Sequence, residues 1–171
     1  MRAATVILTL VSLQRLCELL LSRRNTARCL ARGAVEVGAA HYPLLVLLHA
    51  AWLISLWIFG YNQEVRPLAL FAFLALQGGR LWVLASLGTR WTTRIMVLPG
   101  VPLVVSGPYR YLSHPNYAIV VAEIALLPLA LNLPRLALVF SVLNGIALAF
   151  RIRVEARALA CAGAPPVGTA R

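Results

Sequence analysis

Apolar positions along this chain gather into continuous runs, not into the one-sided stripes of a soluble amphipathic helix. Residues 3–21, 42–59 and 67–86 are predominantly apolar, and a helix needs about 20 such residues to cross the hydrocarbon of a bilayer. Three crossings are predicted. Beyond a more polar stretch from Leu87 to His114, two shorter apolar runs, 117–131 and 134–150, are separated by a break at Asn132, and Pro134 suits the first turn of a new helix. These two runs predict a helical hairpin. The pattern as a whole predicts an all-α integral membrane protein of about five transmembrane helices. Residues 1–160 form one membrane-embedded domain in this reading, and 161–171 a disordered tail.

Composition sharpens the assignment. The 171 residues are 61% hydrophobic and only 12% charged, well beyond the apolar share of an ordinary soluble domain. A net charge of +11, all of it from arginine against glutamate, would suit nucleic acid if it lay on one face. It does not, because the arginines sit between the apolar runs, so no nucleic-acid partner is expected. Arg23, Arg24, Arg28 and Arg32 follow the first span, Arg90, Arg94 and Arg110 the third, and Arg151, Arg153 and Arg157 the fifth, whereas the opposite connections carry one arginine each. The positive-inside rule then places the N-terminus outside and the C-terminus in the cytoplasm. The N-terminal apolar stretch has no small-residue cleavage pattern and reads as a retained helix. Cys17, Cys29 and Cys161 are isolated, with no spacing that suggests a disulfide framework or a zinc site.

Polar chemistry concentrates in "GPYRYLSHPNY", residues 107–117, directly before the fourth apolar run. Pro115 suits the first turn of that helix and would leave the N–H groups of Asn116 and Tyr117 unpaired at its positive end, where a carboxylate is attracted. The competing reading is a capped helix start with tyrosines at the lipid interface. Glu123 lies at membrane depth and must be paired, protonated or turned to a cavity. Arg80 is a plausible structural partner, and substrate handling an equal alternative. Asn144, Arg151 and Glu155 share a face of the fifth helix, either as a polar wall for the same site or as an Arg–Glu pair that merely ends the helix. Gln14, Glu18 and Ser22, with Arg15 beside them, form a polar stripe on the first helix, read as packing glue. His41 and His49 lack a third ligand and read as interfacial or packed histidines, so no metal site is expected. The four tryptophans most simply fill helix contacts or interface belts.

"GPYRYLSHPNY" followed by "RIRVEARAL" resembles the isoprenylcysteine carboxyl methyltransferase family of integral membrane methyltransferases. The stretches "QRLCELLLSRRN", "GAVEVGAAHYPLLVLLH" and "LGTRWTTRI" are similar to a bacterial branch acting on long-chain alkylpyrones and alkylresorcinols, so that the resemblance covers about residues 14–159. It implies S-adenosylmethionine in a pocket on the cytoplasmic side, bound by Gly107, Pro108, Tyr109, Arg110, His114, Pro115, Tyr117, Arg151 and Glu155; the free N–H at the helix start adds Asn116 to the cofactor-binding candidates, and His114 and Arg151 are the candidate catalytic residues. Two positions depart from the family pattern: Ser113 stands where an arginine is usual, and Ala156 replaces the second acid after Arg151. Arg110 is a candidate for the missing cation.

The chemistry of these residues agrees with that implication. Such a cofactor presents a carboxylate, a ribose diol, an adenine and a sulfonium methyl. A helix N-terminus, Glu155 and the tyrosines offer an anion site, a diol acceptor and a flat wall. Methyl transfer depends mainly on alignment and exclusion of water. If a base is required, His114 is the first candidate; its alternative is to cap the helix or touch the cofactor. The expected function is O-methylation of a lipophilic carboxylate, enol or phenol reached from the membrane lipid of a bacterial cytoplasmic membrane. The alternatives are a phospholipid N-methyltransferase and a non-catalytic membrane scaffold or transporter.

Overall fold

The computed structural model describes residues 2–102 and 104–161. Five α-helices dominate them: α1 (Ala3–Ala31), α2 (Tyr42–Gly60), α3 (Pro67–Leu87), α4 (Pro115–Ala130) and α5 (Pro134–Cys161). Four of these, all but α4, are long and apolar enough to cross a membrane. The expected all-α membrane class therefore holds. With 16 residues, α4 is only about 24 Å long at 1.5 Å per residue, short of a hydrocarbon core of about 30 Å. Residues 162–171, most of the predicted tail, lie outside the described residues.

The core of the membrane-embedded part is apolar and draws on every helix. Ala4, Leu8 and Val11 of α1, Trp52 and Leu56 of α2, Phe73 of α3, Ile124 and Leu127 of α4, and Phe140 of α5 are buried together. Large apolar side chains such as Leu47, Ile58, Leu68, Phe71 and Leu138 face outward, as a lipid-facing surface requires. The predicted hairpin is present. Pro134 begins α5, and Asn132, in the left-handed region at φ 58°, makes the turn. The Leu133 N–H donates to the Pro128 carbonyl at 2.8 Å, and the Arg66 N–H to the Ala130 carbonyl at 2.8 Å, tying the start of α3 to the end of α4.

Two features depart from the expectation. The first helix continues to Ala31, far beyond residue 21, and the polar connections contain a short antiparallel ribbon of β1 (Val35–Val37) and β2 (Ile95–Val97), with Val35 opposite Val97. Both have one cause. The polar side chains of the α1 extension find partners in the segment after α3: Asn25 Nδ2 donates to the carbonyls of Gly88 and Trp91, and Ser22 bonds Thr93 Oγ1 at 2.7 Å. Arg94 pairs with Glu36 across the ribbon at 2.6 Å and lies over the Tyr42 ring. What the hydropathy pattern marks as loop is thus a hydrogen-bonded cap on the arginine-rich end of the bundle.

Candidate active site

The 107–117 stretch folds as a 3₁₀ turn, Gly107–Arg110, that leads to the start of α4. Gly107 is required here on two counts. Its φ of +61° is left-handed, and a Cβ at this position would stand 2.2 Å from Ser86 Oγ and 3.2 Å from Trp82 Nε1 of α3. The turn is therefore seated directly on α3. Pro108 is buried, and Tyr109 packs against the buried cluster of Val83, Trp91 and Ile119. Burial, and next the nearby Glu155 charge, push the Tyr109 hydroxyl up to about 12, so it remains a neutral hydrogen-bond donor. Arg110 and Ser113 are exposed, and Arg110 forms no ion pair among the described residues.

Tyr117 is the hub. Its hydroxyl donates to Glu155 Oε2 at 2.5 Å and accepts from Arg151 Nε at 3.0 Å, while the Arg151 guanidinium lies 5.5 Å from the Tyr117 ring centre. Arg151 and Glu155, one turn apart on α5, thus meet on one residue of α4. They do not close as a simple Arg–Glu pair. The His114 ring stacks on Tyr117 at 5.1 Å with planes 13° apart. Histidine, tyrosine, arginine and glutamate form one continuous surface where α4 begins and α5 ends.

Two expectations at this helix start are corrected. The Tyr117 N–H is spent on the His114 carbonyl at 3.1 Å, because the first turn of α4 tightens into an i to i−3 bond. The Asn116 N–H makes no bond among the described residues. The His114 side chain makes no capping bond and instead stacks on the Tyr117 ring.

The residues present fit an S-adenosylmethionine-type cofactor on observable grounds. Buried Asn116 Oδ1 and Trp91 Nε1 lack partners among the described residues, and Glu155 Oε1 accepts no bond within them. An unspent carboxylate oxygen suits a diol, an unspent helix N–H suits a carboxylate, and the stacked rings suit an aromatic base. No group of three or more metal-ligating side chains occurs among the described residues, and His41 instead packs edge-on against Phe150 at 5.4 Å.

Deeper in the bundle lies a buried ionic network. Arg80 bonds both carboxylate oxygens of Glu18 and, at 2.6 Å, Glu123 Oε2; Arg15 reaches Glu18 at 3.0 Å and Glu123 at 2.9 Å. Gln14 and Gln77 complete it, Gln77 donating to Glu123 Oε1 at 2.9 Å. Glu123 is 1% exposed. The expected Arg80–Glu123 pairing is present, and the α1 stripe supplies its other half. The sequence reading missed Gln77, although its place three residues before Arg80 puts both on one face. Beside the network a cavity of about 320 Å³ lies between α1 and α3, floored by Gln14, Glu18, Gln77 and Arg80 and lipped by exposed Cys17, Leu21 and Leu81. Asn144, the third residue of the predicted α5 face, is buried, and its Nδ2 lacks a partner among the described residues.

Residues 68–161, from α3 to the end of α5, match the isoprenylcysteine carboxyl methyltransferase (ICMT) family. The chain is 36% identical to the uncharacterized protein YpbQ of Bacillus subtilis (strain 168) over 159 residues, covering 90% of this chain and 95% of that one. It is 27% identical to an uncharacterized protein of Haemophilus influenzae over 155 residues, covering 85% and 88%. No solved structure matches it significantly. The protein belongs to the isoprenylcysteine carboxyl methyltransferase family.

Proposed function

We propose that the protein is an S-adenosylmethionine-dependent O-methyltransferase acting on a lipophilic carboxylate, enol or phenol. Family membership implies a methyltransferase, and the helices place it in a membrane. The observation that carries the finer reading is the convergence of Arg151 and Glu155 on the Tyr117 hydroxyl beside the stacked His114 ring. Glu155 would hold the ribose diol, the Asn116 N–H the amino-acid carboxylate, and Tyr109 the floor beneath. When bound, the cofactor supplies an electrophilic methyl on a sulfonium sulfur.

His114 and Arg151 act at the transfer point in this reading. The His114 and Tyr117 rings give a cationic sulfur a flat electron-rich face. The Arg151 guanidinium, already ordered by Tyr117, draws in an acceptor oxygen that carries negative charge. The packed turn on α3 and the buried cluster under Tyr109 exclude water from the same point. The arginine-rich end carries the site and faces the cytoplasm, with the N-terminus outside. Relatives in two bacteria support a bacterial cytoplasmic membrane.

The test is product analysis. Purified protein in lipid nanodiscs, given methyl-labelled S-adenosylmethionine and a long-chain alkylpyrone, alkylresorcinol or prenylcysteine, should form a labelled methyl ether or ester. Label found only on phosphatidylethanolamine would make it an N-methyltransferase, and absence of labelled product from every acceptor would reject the reading.

A further inference from the structure

His49 lies on the inward side of α2, on one face with Tyr42, Leu45, Trp52 and Leu56. Its Nδ1 is 2.9 Å from the Leu45 carbonyl oxygen. A carbonyl only accepts, so Nδ1 carries the hydrogen, and in the neutral ring Nε2 presents a lone pair. That lone pair makes no hydrogen bond among the described residues.

The helix register sets polar groups from other helices at the same depth. His41 meets Phe150, and a Cβ on Gly60 would stand 3.1 Å from Leu131, so α2 and α5 run antiparallel with fixed register. Position 49 then falls within two residues of the level of Asn144, about 3 Å of helical rise. Trp57 Nε1 donates to Ser12 Oγ at 3.0 Å and Thr5 Oγ1 to the Tyr61 carbonyl at 3.0 Å, which brings Arg15 and Glu18 level with Trp52 and His49. Trp52 Nε1, Asn144 Nδ2 and Arg15 Nε are buried donors without partners among the described residues. One level of the bundle therefore holds an unspent acceptor and three unspent donors, beside the ionic network.

We propose that His49 is a catalytic residue: its Nε2 takes the hydroxyl proton of a lipophilic phenol or enol bound at this level, while Trp52 and Asn144 donate to a second oxygen of the same head group. The proposal rests on the O-methyltransferase reading above. The acceptor O–H bond breaks with its electron pair left on oxygen, and that oxygen forms the new bond to the methyl carbon. The carbon–sulfur bond breaks with its pair on sulfur, so the positive charge passes from the sulfonium to the imidazolium, which releases its proton to water as product leaves. A carboxylate acceptor needs no such base. The presence of His49 thus favours an acceptor whose oxygen still bears hydrogen.

Two measurements test this. The chain has three histidines, so nitrogen-15 histidine spectra of the wild type in nanodiscs, assigned with His41→Gln and His114→Gln, resolve His49. Without methyl donor, a long-chain alkylresorcinol should shift the His49 Nε2 resonance, and its fully O-methylated ether, which has no proton to give, should not. In turnover, His49→Gln should lower the ratio of alkylresorcinol to prenylcysteine methylation by about 100-fold, the low end of the usual effect of a general base. No shift with the alkylresorcinol, an equal shift with the ether, or an unchanged ratio would overturn the proposal. If no acceptor is methylated at all, the O-methyltransferase reading fails separately, and the wild-type spectra still decide whether His49 binds a hydroxyl.

Discussion

Arg80 of α3 and Glu123 of α4 hold each other at 2.6 Å where both are almost fully buried, Arg80 at 6% and Glu123 at 1% side-chain exposure. Two charges in so apolar a setting persist only because each has further partners, Arg80 in Glu18 and Glu123 in Arg15 and Gln77. The network joins α1, α3 and α4, and between α1 and α3 long polar side chains, not close backbone packing, span the gap.

Removing one member should cost more than removing a pair. Glu123→Leu leaves excess positive charge in the bundle and should destabilise the protein by about 3–5 kcal/mol. The double variant Glu123→Leu with Arg80→Met should recover much of that loss. Reversible unfolding in mixed micelles measures both, and a single variant within about 1 kcal/mol of wild type would contradict a structural role.

Gly107→Ala should disturb the site without unfolding the bundle. The substitution forces a side chain into left-handed backbone and onto Ser86 Oγ. Helix content should be unchanged by circular dichroism, while S-adenosylmethionine affinity falls about tenfold, or about 1.4 kcal/mol. Adding Ser86→Gly should recover part of the loss, since it removes the clash but not the backbone strain. Unchanged affinity would mean that the 107–110 turn does not form the cofactor floor.

The sidedness of the site is open to chemical labelling. Ser113 and Ala156 are both exposed at the arginine-rich end. Cysteines placed there, in a background with Cys17, Cys29 and Cys161 replaced, should react with a membrane-impermeant maleimide in inverted vesicles and not in right-side-out cells. Labelling from the opposite side would reverse the topology.

The membrane spans were legible because long, predominantly apolar runs need no tertiary context. The α1 extension was not, since Ser22 and Asn25 resemble loop residues until Thr93, Gly88 and Trp91 supply their hydrogen bonds. Strands of three residues, Val35–Val37 and Ile95–Val97, are too short to leave a period in the sequence. At the site, the 107–117 motif, Arg151 and Glu155 could be picked out by chemistry and resemblance. Their meeting on the Tyr117 hydroxyl could not, because it depends on the angle between α4 and α5. His49 shows the opposite failure: spacing excluded it as a metal ligand, and only the hydrogen bond on its other nitrogen exposes the unspent lone pair.

Equilibrium binding of S-adenosylmethionine to the purified protein, compared across wild type, Glu155→Gln and Glu123→Gln, tests the central claim most directly. Glu155 is assigned to the ribose diol and Glu123 to the structural network, and losing a charged hydrogen-bond partner typically costs about 1.5–3 kcal/mol. The account predicts saturable binding by the wild type, affinity reduced roughly 10- to 150-fold in Glu155→Gln, and a much smaller change in folded Glu123→Gln. Absence of saturable binding, or equal affinity in wild type and Glu155→Gln, would contradict it.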